Sequence, residues 1–542
     1  MWMTMTYLTN VWKLDYTRAA GILNLWGGLV QILPIGLAHL ADAFMGNFCV
    51  LLFSTVSYSV GLGLLAMSTP PVLAKHTGTC TAYRPECIGH EQKLLFYVGL
   101  ALLAVGMGGH FTTLGGFAAE QMEEGVDEDE EEANIAEKIS IFLSVFAMVS
   151  IPIAGIIAIP YIKPWSVRYG IAAIFTLVSL LVFLTGICSY KYVGPRGSPL
   201  TTTLRVFLAS TSKIFYSIPK DKSQLHEKPN LPEDEQLTHT RGFRCLDKAA
   251  IIIPNQELEQ QQKNRWRLCG VTEIEETKIV LRMIPMWLTF IICGVVSSIG
   301  NTYFLEQANH MNRKVGKLKV PLPVLLWFYD QGKQRFAKLY FAVANSMGES
   351  GARRYAPPVG IAMAMVFSVL CCITAAKVEA RRLGVVNSHG LVDKPDDRIP
   401  MSIFWLLPQF VLLGALDGIY ENSIECFMVD QAPPSMVRYL GILTGGVFGT
   451  GVIGSVLSVY VVGKISEKGG KPNWFQSTLN KSRLDNYYWV LAGLSAINLV
   501  AYVVVAISYA YRESRSEDME ASEDDETDDD SFDDNARCCC CC

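Results

Sequence analysis

The chain has 542 residues, 50% of them hydrophobic and only 18% charged, with a mean hydropathy of +0.27. Soluble domains carry nearer 25% charged residues, so a string of soluble domains is excluded. A net charge of -5 and the lack of a basic stripe speak against a nucleic-acid partner. The apolar residues fall into repeated blocks of roughly 20, the length that crosses a hydrocarbon core.

Residues 1–12 are apolar but too short to span. The next block, about Ala19–Phe44, is long enough and carries Asn24, Trp26 and Gln31. It runs into Leu40-Ala-Asp42-Ala-Phe-Met-Gly46-Asn47, and Cys49–Met67 forms a second span. The polar loop that follows holds Cys80 and Cys87, which form a disulfide if the loop faces an oxidising side and two free thiols otherwise. Leu94–Ala119 is a Gly-rich span, where small residues permit close helix packing. Glu123–Glu132 reads as a solvated acidic loop, and Ile139–Ile162 and Gly170–Tyr190 are two further spans.

Residues 192–277 are polar and punctuated by Pro219, Pro229, Pro232 and Pro254, which predicts a long cytosolic loop between two membrane halves. A span at Ile279–Phe304 carries Ser297 and Asn301 and exits through Glu306, Gln307 and Asn309. Val320–Ala344 is the weakest span. Asp330, Lys333, Arg335 and Lys338 load it with charge, so it is either enclosed by neighbours or partly outside the membrane. Pro358–Val378, Phe404–Val429, Gly441–Val462 and Tyr487–Tyr509 complete eleven candidate spans, five before the loop and six after it.

The expected domains are a helix bundle at 1–191, the central loop at 192–277, a second bundle at 278–511 and an acidic, disordered tail at 512–542. Cys538–Cys542 either accept palmitate or are inert. No CxxC zinc spacing occurs outside that run, so neither a metal nor a cofactor is expected. No Ser-His-Asp arrangement, HExxH or P-loop supports an enzyme. The basic clusters Arg313–Lys319 and Arg381–Arg382 do not settle orientation.

The feature that calls for an explanation lies in the span from Phe404. Asp417, Glu421 and Glu425 stand four residues apart, which stacks three carboxylates on one helical face. Ionisable groups inside a membrane are costly and mark proton or substrate paths. A soluble helix with a wet face, or a salt-bridged structural acid, is the bland reading. Six-plus-six spans around a polar loop is a transporter layout, with substrate near the midplane between the halves. Trp26 and Gln31 are candidate pocket residues, with packing as the alternative. Asn422, Ser297 and Asn301 are candidate polar lining residues, with hydrogen bonding inside the bundle as the alternative. Lys333 and Arg335 are candidate partners for Asp330 or Asp417, the choice between them open.

Several stretches together resemble the plant nitrate/peptide transporter family, a branch of the proton-dependent oligopeptide transporters within the major facilitator superfamily. They are LADAFMGN (Leu40–Asn47), YVGLALLAVGMGG (Tyr97–Gly109), GPRGSPLT (Gly194–Thr201), RMIPMW (Arg282–Trp287), FLEQANHMNRKVGKLKVP (Phe304–Pro321), DQAPPSMVRYLG (Asp430–Gly441) and WFQSTLNKSRLDNYYWVLAGLSAINL (Trp474–Leu499). The resemblance implies an all-α integral membrane protein with the major facilitator fold, two six-helix bundles, and about eleven complete spans because the first helix is truncated. It implies secondary active, proton-coupled transport of small polar solutes (nitrate, di- or tripeptides or related metabolites) by alternating access, in the plasma or the vacuolar membrane. It places Asp417 at the acidic position of the tenth helix and Glu425 near an acid of many plant members. Asp42 and Gly46 fall in the family's LADxxxG motif, with a gating or structural role. The sequence itself puts Glu306 and Gln307 at a helix mouth, with a part in gating as the second reading.

The departures matter too. The ExxE[K/R] motif of the first helix is absent, the Lys of GGIKP is Phe111, the fifth-helix pattern is degraded to FAMVSIPIAG (Phe146–Gly155), and the Arg of LADxxxGR is Asn47. They leave a second reading, a non-transporting relative that acts as a membrane sensor or scaffold.

Overall fold

The computed structural model describes residues 2–122, 164–218, 242–253, 258–348 and 354–524, except for isolated positions 79, 196, 265, 396 and 433, and also 162, 225–227, 237 and 239–240. A short helix α1 (Trp2–Asn10) precedes α2 (Tyr16–Leu40), α3 (Gly46–Met67), α4 (His90–Met122) and α5 (Trp165–Thr185). An amphipathic helix α6 (Pro199–Ser212) leads into the second set. That set comprises α7 (Val271–Ile299), α8 (Pro323–Ser346), α9 (Ala356–Ser388), α10 (Leu407–Gln431), α11 (Pro434–Ser466) and α12 (Leu484–Asp524).

Eight stretches among the described residues are long and apolar enough to cross a membrane. The first of them, Tyr16–Met67, is two helices. A π-helical turn at Ala41–Met45 ends α2, and Gly46 turns the chain at φ +75°. A side chain there would also lie 2.8 Å from the Val193 carbonyl, so only glycine fits. The predicted span 139–162, the acidic run 123–132 and the cysteines 538–542 lie outside the described residues. So do residues 525–542, while α12 continues as helix to Asp524, past the predicted end of its span.

In the first half α3 packs on α4 and α5, and α2 on α4. In the second, α8 and α9 flank α10, α9 and α12 pack together, and α7 lies on α11. The halves meet along α2 and α11, where Gly28 and Gly449 bring the backbones together. Asn24 reinforces that seam by donating to Ser455 Oγ at 2.9 Å.

Two polar clusters hold the ends. In one, Arg382 of α9 is fully buried and forks onto both oxygens of Glu379 at 2.7 Å. It also donates to Asn480 and the Leu479 carbonyl, while Gln307 donates to Glu379 at 2.7 Å and accepts from Gln409 at 3.2 Å. In the other, α6 packs on the turn Lys248–Ala250 and the start of α7 over a small core of Val206, Ala209, Leu246 and Ile274. Arg205 pairs with Glu273, and the Lys278 ammonium bridges Asp247 and Glu275, all at 2.7 Å. His239, Asp247 and Glu275 lie close enough to ligate an ion, but Lys278 already neutralises both carboxylates.

Candidate substrate and proton site

Glycines set the site. A methyl at Gly414 would lie 2.3 Å from the Tyr329 carbonyl oxygen, and one at Gly418 would lie 2.2 Å from that of Lys333. Gly332 answers from α8, 3.0 Å from the Val411 carbonyl by the same measure. With no side chains between them, α8 and α10 run almost backbone to backbone. Long side chains of α8 then reach across to the acids of α10.

Asp417 is enclosed between α7, α8 and α10 and is 5% exposed. Its Oδ2 accepts from the Tyr329 hydroxyl at 2.7 Å and from the Ser297 hydroxyl at 3.1 Å. Its Oδ1 is buried and has no hydrogen-bond partner among the described residues. Other buried polar atoms also lack a hydrogen-bond partner among the described residues, but the only other carboxylate oxygen among them, Asp247 Oδ1, is ion-paired with Lys278, so Asp417 Oδ1 alone of these carboxylate oxygens has neither. One turn on, Glu421 is ion-paired with Lys333 at 2.6 Å. That pair is partly open, with the Glu421 side chain 55% exposed. Glu425, a further turn along, is exposed.

The other predicted residues are placed as follows. Ser297 joins Asp417, as above. Asn422 donates to the Gly418 carbonyl of its own helix at 2.6 Å. Asn301 lies in the π-helical turn Gly300–Phe304. Trp26 donates its indole N–H to the Leu100 carbonyl at 2.8 Å and so ties α2 to α4. Gln31 packs against Gly449 at the α2–α11 seam. Glu306 is buried and meets His310 at 3.0 Å, and Gln307 belongs to the Arg382 cluster.

Asp42 stands where the halves close. Tyr439 of α11 donates its hydroxyl to it, Arg438 lies 3.4 Å away, and Arg438 also donates to the Thr112 carbonyl at 2.8 Å. The backbone N–H of Gly197 donates to the Asp42 carbonyl at 2.8 Å, which brings the approach to α6 to the same end. Asn47, in place of the motif arginine, donates to Glu120 at 2.7 Å. At the opposite end Tyr16 and Tyr303 meet edge to face at 5.9 Å between centroids. Contacts between the halves therefore exist at both ends, with Asp417 enclosed between them.

Tyr329 and the pairing of Lys333 with Glu421 were not foreseen. The usable signal was spacing: Tyr329 and Lys333 are four apart, as are Asp417 and Glu421, so two facing helices can meet twice.

The profile of the POT family matches residues 48–476. Protein NRT1/PTR FAMILY 5.5 of Arabidopsis thaliana is 41% identical over 527 residues, covering 97% of this chain and 96% of its own. Protein NRT1/PTR FAMILY 5.6 of the same plant is 32% identical, covering 93% and 87%. Among solved structures, the POT family transporter PepTSo overlays with a TM-score of 0.57 at 17% identity, over 94% of this chain and 95% of that one. A POT family transporter in complex with 5-aminolevulinic acid overlays at 0.56 and 13% identity, over 94% and 92%. The overlays show the major facilitator fold, and the sequence matches show the family. The chain belongs to the POT family of multi-pass membrane transporters.

Proposed function

We propose that this transporter carries small, amine-bearing polar solutes together with protons, and that Asp417 is the group that receives the amine or the proton. One observation supports this reading above others: Asp417 Oδ1, buried between α7, α8 and α10 with neither a hydrogen bond nor an ion pair among the described residues. A buried carboxylate with an unmet oxygen is costly. A cationic group or a proton arriving at that oxygen relieves the cost, and leaving restores it. Tyr329 and Ser297 hold the other oxygen and keep the carboxylate oriented. The acids of this face outnumber its cations, since Lys333 is already neutralised by Glu421. An amine-bearing solute therefore fits better than nitrate, and di- or tripeptides and amino-acid-like metabolites are the class to test. The relative solved with 5-aminolevulinic acid, itself an amine, points the same way.

Proteoliposomes holding a pH-sensitive dye test this. Dipeptide or aminolevulinate added outside acidifies the lumen with wild-type protein. In Asp417→Asn the initial rate falls ten- to a hundredfold, the range for losing one hydrogen bond to a charged group. Acidification driven by nitrate alone, indifferent to Asp417→Asn, would overturn the assignment.

A further inference from the structure

A second site, cationic where the first is acidic, lies on the side that carries α6. Lys213 follows the last turn of α6 and is 2% exposed. Its ammonium donates to the carbonyls of Ala249 at 3.0 Å and Ile251 at 2.7 Å. Those are two of its three protons. No carboxylate pairs with it among the described residues. A buried charge without a counter-charge is a rare and costly arrangement. Every other buried cation described in this chain has an acid: Arg382 has Glu379, and Lys278 has Asp247 and Glu275.

The ammonium lines a cavity of about 220 Å³, with Ile253, Gln260, Gln261, Asn264 and Arg267. At about 30 Å³ per water, that is room for a small ion and part of its hydration shell. Arg267 is exposed at the rim and forms no ion pair among the described residues. Gln261 does not compete for a ligand by that route, because its amide is clamped to Ile253, accepting from the N–H at 3.0 Å and donating to the carbonyl at 2.8 Å. The wall thus offers one buried ammonium and one guanidinium, with the Asn264 carboxamide beside them, donors suited to oxygen acceptors.

We propose that this cavity is a binding site for a small oxyanion, nitrate or inorganic phosphate, held between Lys213 and Arg267. Burial pushes the Lys213 ammonium down to about 8. The site is linked to the start of α7 through the backbone. The Ala249 carbonyl that accepts from Lys213 also accepts from the Cys269 N–H at 3.2 Å, two residues before α7 begins. Filling the cavity braces α6, residues 249–253 and the base of α7, the segment that joins the two halves. The site would report the anion content of the compartment it faces, independently of the solute carried past Asp417.

Hydrogen exchange on the full-length protein in nanodiscs reads this locally. Sodium nitrate and sodium phosphate are compared, each at millimolar concentration, with sodium chloride at equal ionic strength. Slowed exchange confined to peptides within 244–271 is expected with at least one oxyanion, and the two arms tell which source the site prefers. In Arg267→Gln the apparent dissociation constant rises about tenfold, as for losing one charge-assisted contact. Lys213→Met abolishes the protection. Should that variant fail to fold, the exposed Arg267→Gln decides alone. Equal protection by chloride, none by either oxyanion, or protection untouched by Arg267→Gln overturns the proposal.

Discussion

Gly414→Ala tests whether the closeness of α8 and α10 is what builds the site. The added methyl would sit 2.3 Å from the Tyr329 carbonyl oxygen and 2.8 Å from the Lys333 nitrogen. Both obstacles are backbone, so no side chain can swing away. Ordinary contact begins at 3.4 Å, so the helices must part by about 1.1 Å (3.4 − 2.3) along that direction. Tyr329 then stands up to about 3.8 Å from Asp417, against 2.7 Å in the native protein. That is beyond hydrogen-bonding range. Losing a hydrogen bond to a charged group costs roughly 1.5–3 kcal/mol, a ten- to hundredfold weaker hold on a solute that needs an oriented carboxylate. Counterflow of a radiolabelled dipeptide in proteoliposomes measures the apparent affinity. Gly441→Ala, where the methyl meets nothing within 4 Å, is the control. Size-exclusion profiles in detergent check that both variants fold. Native-like affinity in a well-folded Gly414→Ala would show that α8 does not need this approach to present Tyr329, and the glycine argument would be lost.

Other substitutions probe neighbouring contacts. Tyr329→Phe keeps the packing and removes only the hydroxyl, so the apparent KM for an amine-bearing solute should rise about tenfold with little change in maximal rate; a fall in rate at constant KM would assign Tyr329 to a conformational step. Arg382→Met strands Glu379 in its cluster with Gln307, Gln409 and Asn480 and should destabilise the second half by about 3–5 kcal/mol. Glu379→Gln added to it should recover part of that loss in a thermal unfolding assay in detergent, and a neutral single variant would mean the cluster is not what holds that end. The Cys80–Cys87 disulfide lies in the loop between α3 and α4, at the end opposite Asp42 and α6. It should resist a membrane-impermeant maleimide on intact cells until a reductant is added; labelling without reductant would show the thiols free, and no labelling even after reduction would place the loop on the other side.

Much of the fold was legible because membrane spans advertise themselves. The blocks of about 20 apolar residues coincide with the helices wherever the chain is described. The exception is instructive. The α8 segment fails as an apolar stretch because of Asp330, Lys333, Arg335 and Lys338, yet it is a continuous helix packed on α10. Its anomaly is settled by a partner distant in sequence, since Lys333 meets Glu421 88 residues away. Arg382 is a similar case. Beside Arg381 it reads as a basic cluster just past a span, whereas α9 continues to Ser388 and buries it. Arg381 instead lies over the Trp405 ring at 3.8 Å. Nothing local separates the two arginines; which one faces the bundle depends on the rotation of α9 against α10 and α12. Gln307, read as a mouth residue, is fully enclosed for the same reason.

The acidic stripe itself is where structure adds most. Sequence spacing puts Asp417, Glu421 and Glu425 on one face and treats them alike. The facing helix does not. Tyr329 and Lys333 repeat the four-residue interval on α8, so the helices join by two rungs: a buried Tyr–Asp contact and a half-open Lys–Glu pair. A single cation placed one turn lower, level with Asp417, would have cancelled the buried acid and left nothing for a solute to bind. Placed level with Glu421, it satisfies the acid that solvent could have satisfied anyway, and such partly exposed pairs contribute about 1 kcal/mol or less. The ion pair therefore adds little stability. Its consequence is selective: it removes Lys333 as a partner for Asp417, so that of the three acids only Asp417 is both enclosed and unmet at one oxygen. Moving the cation by one turn, with Tyr329→Lys and Lys333→Gln together, would place an ammonium against Asp417, and amine-bearing solutes should then lose their hold while the fold survives.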